Sequence, residues 1–253
     1  MRLPSHFRHP AHVHHVHFSS HIPSPLHAPS RLHAPSVLRT RSALCAVFSW
    51  RDLRLALWVP AYLLSYFLLE ARPLETYWAT QTPADRWIPY CSWAFLPYSL
   101  WYGLLVLTGL AALVCDRTAY VRYMRFLSAT FFLSILIWIA VPNGQDLRPV
   151  SPGGALGPAV AALYRIDTNT NVFPSVHVLG AVGAALAAWD ALRSRHRNLW
   201  RGTAVLSVLV CLSTVMLKQH SLLDVVGALV LSAVVAWPVY RTRFRQERGY
   251  REI

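Results

Sequence analysis

Charged side chains are scarce in this chain, and lysine is nearly absent. Only 14% of the 253 residues are Asp, Glu, Lys or Arg, 55% are hydrophobic, and mean hydropathy is +0.34, which excludes an ordinary soluble domain of this length. The chain belongs in a bilayer. Acidic residues number 11 against 24 basic ones, a formal charge of +13. That excess does not indicate nucleic acid: no basic face interleaved with aromatics occurs, and the arginines cluster between apolar runs, where topology and anionic headgroups account for them. Of the 24 basic residues 23 are arginine, and Lys218 is the exception. Cysteine is also sparse. Cys45, Cys91, Cys115 and Cys211 sit in different segments without a CxxC spacing, which supports neither a disulfide framework nor a zinc site.

Residues 1–45 hold nine of the twelve histidines, six prolines and no acidic residue, with LHAPS at 26–30 and again at 32–36. Such a segment cannot build a core, and it reads as a disordered basic tail. A targeting segment or a wrongly chosen start are the other readings; it lacks the apolar stretch of a secretory signal.

Beyond it come six apolar stretches, near 54–70, 94–114, 126–142, 173–190, 200–217 and 222–240. At about 17–22 residues each, they are long enough to cross a hydrocarbon core as helices. Arginines concentrate before the first stretch (Arg51, Arg54), in the second linker (Arg117, Arg122, Arg125), in the fourth (Arg193, Arg195, Arg197, Arg201) and after the sixth (Arg241, Arg243, Arg245). By the positive-inside rule those regions are cytoplasmic. The expectation is an all-α, six-transmembrane-helix bundle over 50–240 with both termini cytoplasmic and a basic tail at 241–253. Tyr77, Trp78, Trp87, Tyr90, Trp93, Tyr98, Trp101 and Tyr102 fall on the outer side and suit a headgroup-level aromatic belt.

Three histidines follow the tail: His177, His196 and His220. His196 lies in an arginine-rich linker and reads as a solvated loop residue. His177 and His220 both fall at the outer ends of spans. In KQHSLLD, His220 and Asp224 are four residues apart, a spacing that stacks imidazole over carboxylate on one helix face if the helix starts there. An Asp holding one ring N–H leaves the other nitrogen as nucleophile or base; the plainer reading is a helix-end histidine and a dipole-favoured acid. In FPSVH, Pro174 suits a first helical turn that also contains Ser175 and His177, and the helix start is a natural phosphate site, although Pro-Ser is also an ordinary helix start. Arg148, stiffened by Pro149 in the third outer linker, offers a guanidinium to the same face.

The ordered set Arg148-Pro149, then PSVH, then Ser213, His220 and Asp224 resembles the type 2 phosphatidic acid phosphatase superfamily, and NVFPSVHV and KQHSLLD resemble its branch near inositol phosphorylceramide synthases. The resemblance covers about 85–240. It implies that His220 attacks phosphorus and is transiently phosphorylated, with Asp224 orienting it. His177 would protonate the leaving alkoxide. Arg148, Ser175 and Ser213 match residues that hold phosphoryl oxygens; Lys218 and Asn171 match the branch pattern. The chain departs from the larger family in carrying Val141 and Thr214 where that family has Lys and Arg, and Lys218 is a candidate replacement charge.

The expected protein is thus a metal-independent, cofactor-free phosphoric ester hydrolase of lipid phosphates or phosphodiesters. Its active site would lie on the extracytoplasmic side of the plasma membrane. Two alternatives stand: a lipid phosphotransferase using a polar alcohol such as inositol, and a non-enzymatic membrane protein with a degenerate site.

Overall fold

The computed structural model describes residues 53–251, so the expected basic tail at 1–45 lies outside the described residues. Among the described residues there are seven helices and one short strand pair: α1 Trp58–Glu70, β1 Trp78–Ala79, α2 Phe95–Cys115, α3 Arg117–Ala140, β2 Asn143–Gly144, α4 Gly157–Ile166, α5 Val176–Leu192, α6 Arg197–Met216 and α7 Leu222–Arg251. Short 3-10 turns occupy Arg54–Ala56, Pro83–Trp87 and Ser92–Ala94.

Each of the six apolar stretches forms a helix. Among the described residues four helical segments are long and apolar enough to cross a membrane: Ser92–Cys115, Arg117–Ala140, Arg197–Met216 and Leu222–Arg241. The other two, α1 at 13 residues and α5 at 17, are shorter. Leu107, Val114, Leu136, Val205 and Val230 on the long helices face outward, the surface expected where lipid is the solvent.

Helix α3 begins nine residues before its expected start at 126. Asp116 makes this possible by accepting the N–H groups of Thr118 (2.9 Å) and Ala119 (3.1 Å), an N-cap that also turns the chain out of α2. Of the three arginines in the added turns, Arg122 is paired within the bundle: its Nε donates to Asp190 Oδ2 at 2.6 Å on a neighbouring helix. Helix α4, unforeseen in the outer linker, is amphipathic and buries Val160. At the other end, the basic run after 240 continues α7 to Arg251 instead of leaving the helix, consistent with the good helix propensity of Arg, Gln and Glu.

Helix α5 is the hub. It packs against α2, α3, α6 and α7, and thirteen of its 17 residues are buried. Its sequence is rich in Ala and Gly because its neighbours come close. A Cβ at Gly180 would lie 2.6 Å from Trp101 Nε1, and one at Gly183 would lie 2.9 Å from Phe126 Cδ1. The α1 helix is held differently, by aromatics at four-residue spacing: Trp58 and Tyr62 meet Phe131 at ring-centroid distances of 5.6 and 4.8 Å, and Tyr66 meets Trp138 at 6.1 Å.

On the face shared by the starts of α5 and α7, β1 and β2 pair in parallel, Trp78 with Asn143 and Ala79 with Gly144, and Gly144 also bridges to Thr170. Three stretches of backbone meet there because residue 144 has no side chain: a Cβ would sit 2.8 Å from Tyr77 and 2.9 Å from the Asn169 carbonyl.

Because α5 is packed on every side, Gly183→Leu is expected to destabilise the detergent-solubilised protein by about 1–3 kcal/mol. Phe126→Ala in the same chain should recover part of that loss. Thermal unfolding followed by circular dichroism measures both.

Candidate active site

Helix starts and one helix end build the site. Ser175 is the N-cap of α5, and its Oγ accepts the N–H of Val178 at 3.4 Å. The helix therefore begins at Val176, and Pro174 precedes the cap instead of lying in the first turn, while His177 does lie in that turn.

His220 also departs from expectation. It stands two residues ahead of α7 and so does not share a helix face with Asp224. Ser221 is the reason. Its N–H donates to Asp224 Oδ2 (2.7 Å) and its Oγ accepts the N–H of Asp224 (3.2 Å), a reciprocal cap that fixes the helix start beyond the histidine. The turn still carries Asp224 Oδ2 to 3.6 Å from His220 Nδ1, with the carboxylate fully buried.

The Ser175 N–H donates to the carbonyl of Asp224 at 3.2 Å, joining the two helix starts directly. The rings of His177 and His220 consequently lie 5.7 Å apart, centroid to centroid, and both residues are buried. His177 is flanked by aromatics, Tyr98 at 4.2 Å and Trp101 at 4.4 Å. These two belong to the expected aromatic belt, but at 0% and 6% exposure they face the site, whereas Trp87, Trp93 and Tyr102 are exposed. A second apolar contact seats the α5 approach: a Cβ at Gly227 of α7 would fall 2.2 Å from the ring of Phe173, which occupies that notch and meets Trp78 edge-on at 5.3 Å.

The loop after α3 braces both histidine segments. Asn143 accepts the Phe173 N–H at its Oδ1 (2.8 Å) and the Asn171 N–H at its carbonyl (2.8 Å). Gln145, fully buried, donates from Nε2 to the carbonyls of Lys218 (2.8 Å) and Gln219 (3.3 Å). Neither was singled out in the sequence, although NGQ in so apolar a chain is a polar cluster without a surface role.

The remaining candidates are placed as follows. The Arg148 guanidinium donates to the carbonyls of Tyr164 (3.2 Å), Asp167 (2.8 Å) and Thr168 (2.6 Å), capping the end of α4, and stacks 4.5 Å over the Tyr164 ring. Burial pushes its pKa below the ordinary arginine value, and the nearby Asp167 carboxylate opposes that shift. Ser213 Oγ donates within its own helix to the Val210 carbonyl at 2.6 Å. Asn171, at φ +54°, donates from Nδ2 to Glu70 Oε1 at 2.9 Å, which ties the loop to the end of α1.

Lys218 ends α6. The N–H of Lys218 reaches the carbonyl of Val215 (3.1 Å) and that of Gln219 reaches Thr214 (3.0 Å), the paired bonds of a Schellman ending. The lysine occupies the left-handed position where glycine is usual, at φ +56°. Its ammonium explains the choice: Nζ donates to the carbonyls of Asp85 (2.8 Å) and Ile88 (2.6 Å), anchoring the loop before α2 to the turn that carries His220. Burial lowers the Lys218 pKa, with Asp85 opposing. Among the described residues no group of three or more His, Cys, Asp or Glu side chains is placed to hold a metal ion.

A helical bundle with an apolar exterior and four membrane-length helices is consistent with a membrane protein, and two imidazoles and a carboxylate gather where three of its helix ends meet. The PAP2 superfamily model matches residues 55–248, most of the chain, and the protein belongs to that superfamily, the type 2 phosphatidic acid phosphatases. Its members carry out phosphatase- or phosphotransferase-type chemistry on phosphate-containing, lipid-like substrates. None of the curated proteins and none of the solved structures matches the chain.

The left-handed turn yields a prediction. Lys218→Gly and Lys218→Ala both lose the ammonium tether, but only alanine retains the left-handed strain, so the glycine variant should be the more stable by about 1 kcal/mol. Unfolding of the two variants in the same detergent measures the difference.

Proposed function

We propose that the protein is an integral membrane lipid phosphatase that cleaves a lipid phosphate or phosphodiester through a phosphohistidine intermediate. The observation that supports this most is the approach of His177 and His220 to 5.7 Å, with the Asp224 carboxylate 3.6 Å behind the Nδ1 of His220. With Nδ1 turned to Asp224, Nε2 of His220 is the nucleophile. It attacks phosphorus as the P–O bond to the leaving group breaks. His177 Nε2, protonated, gives its proton to the departing alkoxide. Water then attacks the phosphoenzyme, His177 takes its proton, and His220 leaves.

Several groups keep donor capacity toward phosphoryl oxygens. Ser175 uses its oxygen as a helix cap and retains its O–H. Lys218 has spent two of its ammonium protons, and Arg148 Nε has no partner among the described residues. The N–H groups opening α5 and α7 add a dipole favourable to an anion. In this reading no metal takes part in the chemistry.

The chain, in this reading, is one six-span domain over 50–240 with a basic cytoplasmic tail. The arginine-rich linkers lie at the opposite helix ends from His177 and His220. Both termini are therefore cytoplasmic, and the site faces the extracytoplasmic side of the plasma membrane. Water is the acceptor, with an inositol-type alcohol transfer as in the inositol phosphorylceramide synthase branch the competing outcome.

Purified protein incubated with a panel of lipid phosphates, with and without polar alcohols, should release inorganic phosphate and be indifferent to EDTA. His220→Ala should lose activity by about 10³-fold or more. His177→Ala should lose about 10²–10⁴-fold. Acid-labile phosphate should be trapped on the wild type only. A phospho-alcohol product would instead assign a transferase, and activity that required divalent metal would overturn the covalent route.

A further inference from the structure

His177 has a second set of partners. The Tyr98 hydroxyl lies 3.4 Å from His177 Nδ1 and donates to Asp167 Oδ2 at 2.6 Å. Gln219, the residue immediately before His220, donates from Nε2 to both Asp167 Oδ2 (3.1 Å) and the Tyr98 oxygen (3.4 Å). Tyr66 donates to the other Asp167 oxygen at 3.1 Å. Tyr98 is fully buried, and His177 Nε2 has no hydrogen-bond partner among the described residues.

Counting donors and acceptors decides the proton positions. Asp167 accepts from Tyr98, Tyr66 and Gln219, the pattern of a carboxylate. The Tyr98 hydroxyl has one proton, and that proton goes to Asp167. The oxygen of Tyr98 is thereby left as an acceptor toward His177, so Nδ1 must carry a hydrogen. Nε2 is then the nitrogen that faces His220 chemistry.

We infer that Tyr98 and Asp167 are positioning residues that hold His177 as its Nδ1–H form and steady the imidazolium from which the leaving group takes its proton. This inference rests on the function proposed above. In the first step the P–O bond to the leaving group breaks, the His220 Nε2–P bond forms, and the proton on His177 Nε2 moves to the departing oxygen. The Nδ1–H remains on Tyr98 throughout, and Asp167 keeps its negative charge. In the second step the water oxygen bonds to phosphorus as the His220 Nε2–P bond breaks, and His177 Nε2 takes a proton from that water, which restores the imidazolium. The two imidazoles are thus each backed by a carboxylate, His220 directly by Asp224 and His177 through a phenol by Asp167.

The test separates help to the leaving group from mere packing. Dioleoyl phosphatidic acid has a leaving alcohol that needs a proton, whereas p-nitrophenyl phosphate releases a stable phenolate. Tyr98→Phe and Asp167→Asn should each lower kcat on phosphatidic acid by about 10-fold or more while KM stays within about 2-fold, a part of what the general acid itself supplies. On the nitrophenyl ester the same variants should keep the rate of the pre-steady-state nitrophenolate burst, which reports the phosphorylation step alone, within about 3-fold, and on phosphatidic acid the double variant should lose little more than either single one. His177→Gln serves as the reference for the pattern. Equal losses on both esters, or no loss, would overturn the relay while His220→Ala still vouches for the phosphohistidine route. If His177→Gln shows no dependence on the leaving group, the function proposed above fails instead.

A readout independent of turnover is the nitrogen-15 NMR signal of His177, assigned by its loss in His177→Gln. The neutral ring should carry its proton on Nδ1 in the wild type and redistribute it in Tyr98→Phe. A wild-type signal with the proton on Nε2 would overturn the inference whatever the activity.

Discussion

The bond from the Ser175 N–H to the Asp224 carbonyl is the constraint on which the site depends. It joins the first turns of two helices that are separated in sequence by the whole of α6, and its donor is one of the N–H groups that a helix start leaves unpaired. Around it the exposed donors of each start are answered locally: Ser175 caps α5, and Ser221 with Asp224 caps α7. Two histidines that would otherwise sit on separate helix ends are thereby placed across a gap of ring-to-ring dimensions. The braces from Asn143 and Gln145 add stiffness from a third segment.

Much of the fold was legible because hydrophobic length is a strong signal. All six apolar stretches are helical, and His177 and His220 lie together at one end of the bundle, as their places at span ends imply. Boundaries were less legible where tertiary pairing overrides composition. The first turns of α3 look too polar for a span until Arg122 is matched with Asp190 on another helix. Helix α4 was lost in its linker because ten residues give too little periodicity to stand out. In the site, His177, His220, Asp224 and Ser175 were readable from local motifs. Tyr98, Asp167 and Gln145 were not, since their roles exist only through contacts across tens of residues. Tyr98 was further disguised by its neighbours, which do form an exposed aromatic surface.

Lys218 shows how local preference and tertiary need can conflict. Glycine would relieve the left-handed backbone, and arginine is the basic residue this sequence otherwise uses. An ammonium is compact and offers tetrahedrally arranged donors, which suits two converging carbonyls better than a planar fork. Arg148, by contrast, meets three carbonyls at the end of a helix, which suits a fork of fixed donors, and its guanidinium carbon sits 4.5 Å over a tyrosine ring. Each cation is thus matched by shape to what it binds, and each stabilises a loop that borders the histidines.

Phe173 seated against Gly227 has a consequence beyond filling space. A ring lodged in a notch blocks sliding of one helix along its neighbour far more than it blocks small changes of tilt. The separation of the two imidazoles is therefore gauged by an apolar peg that carries no titratable group. The spacing of two histidines in this chain is indexed by a residue whose whole contribution is its bulk.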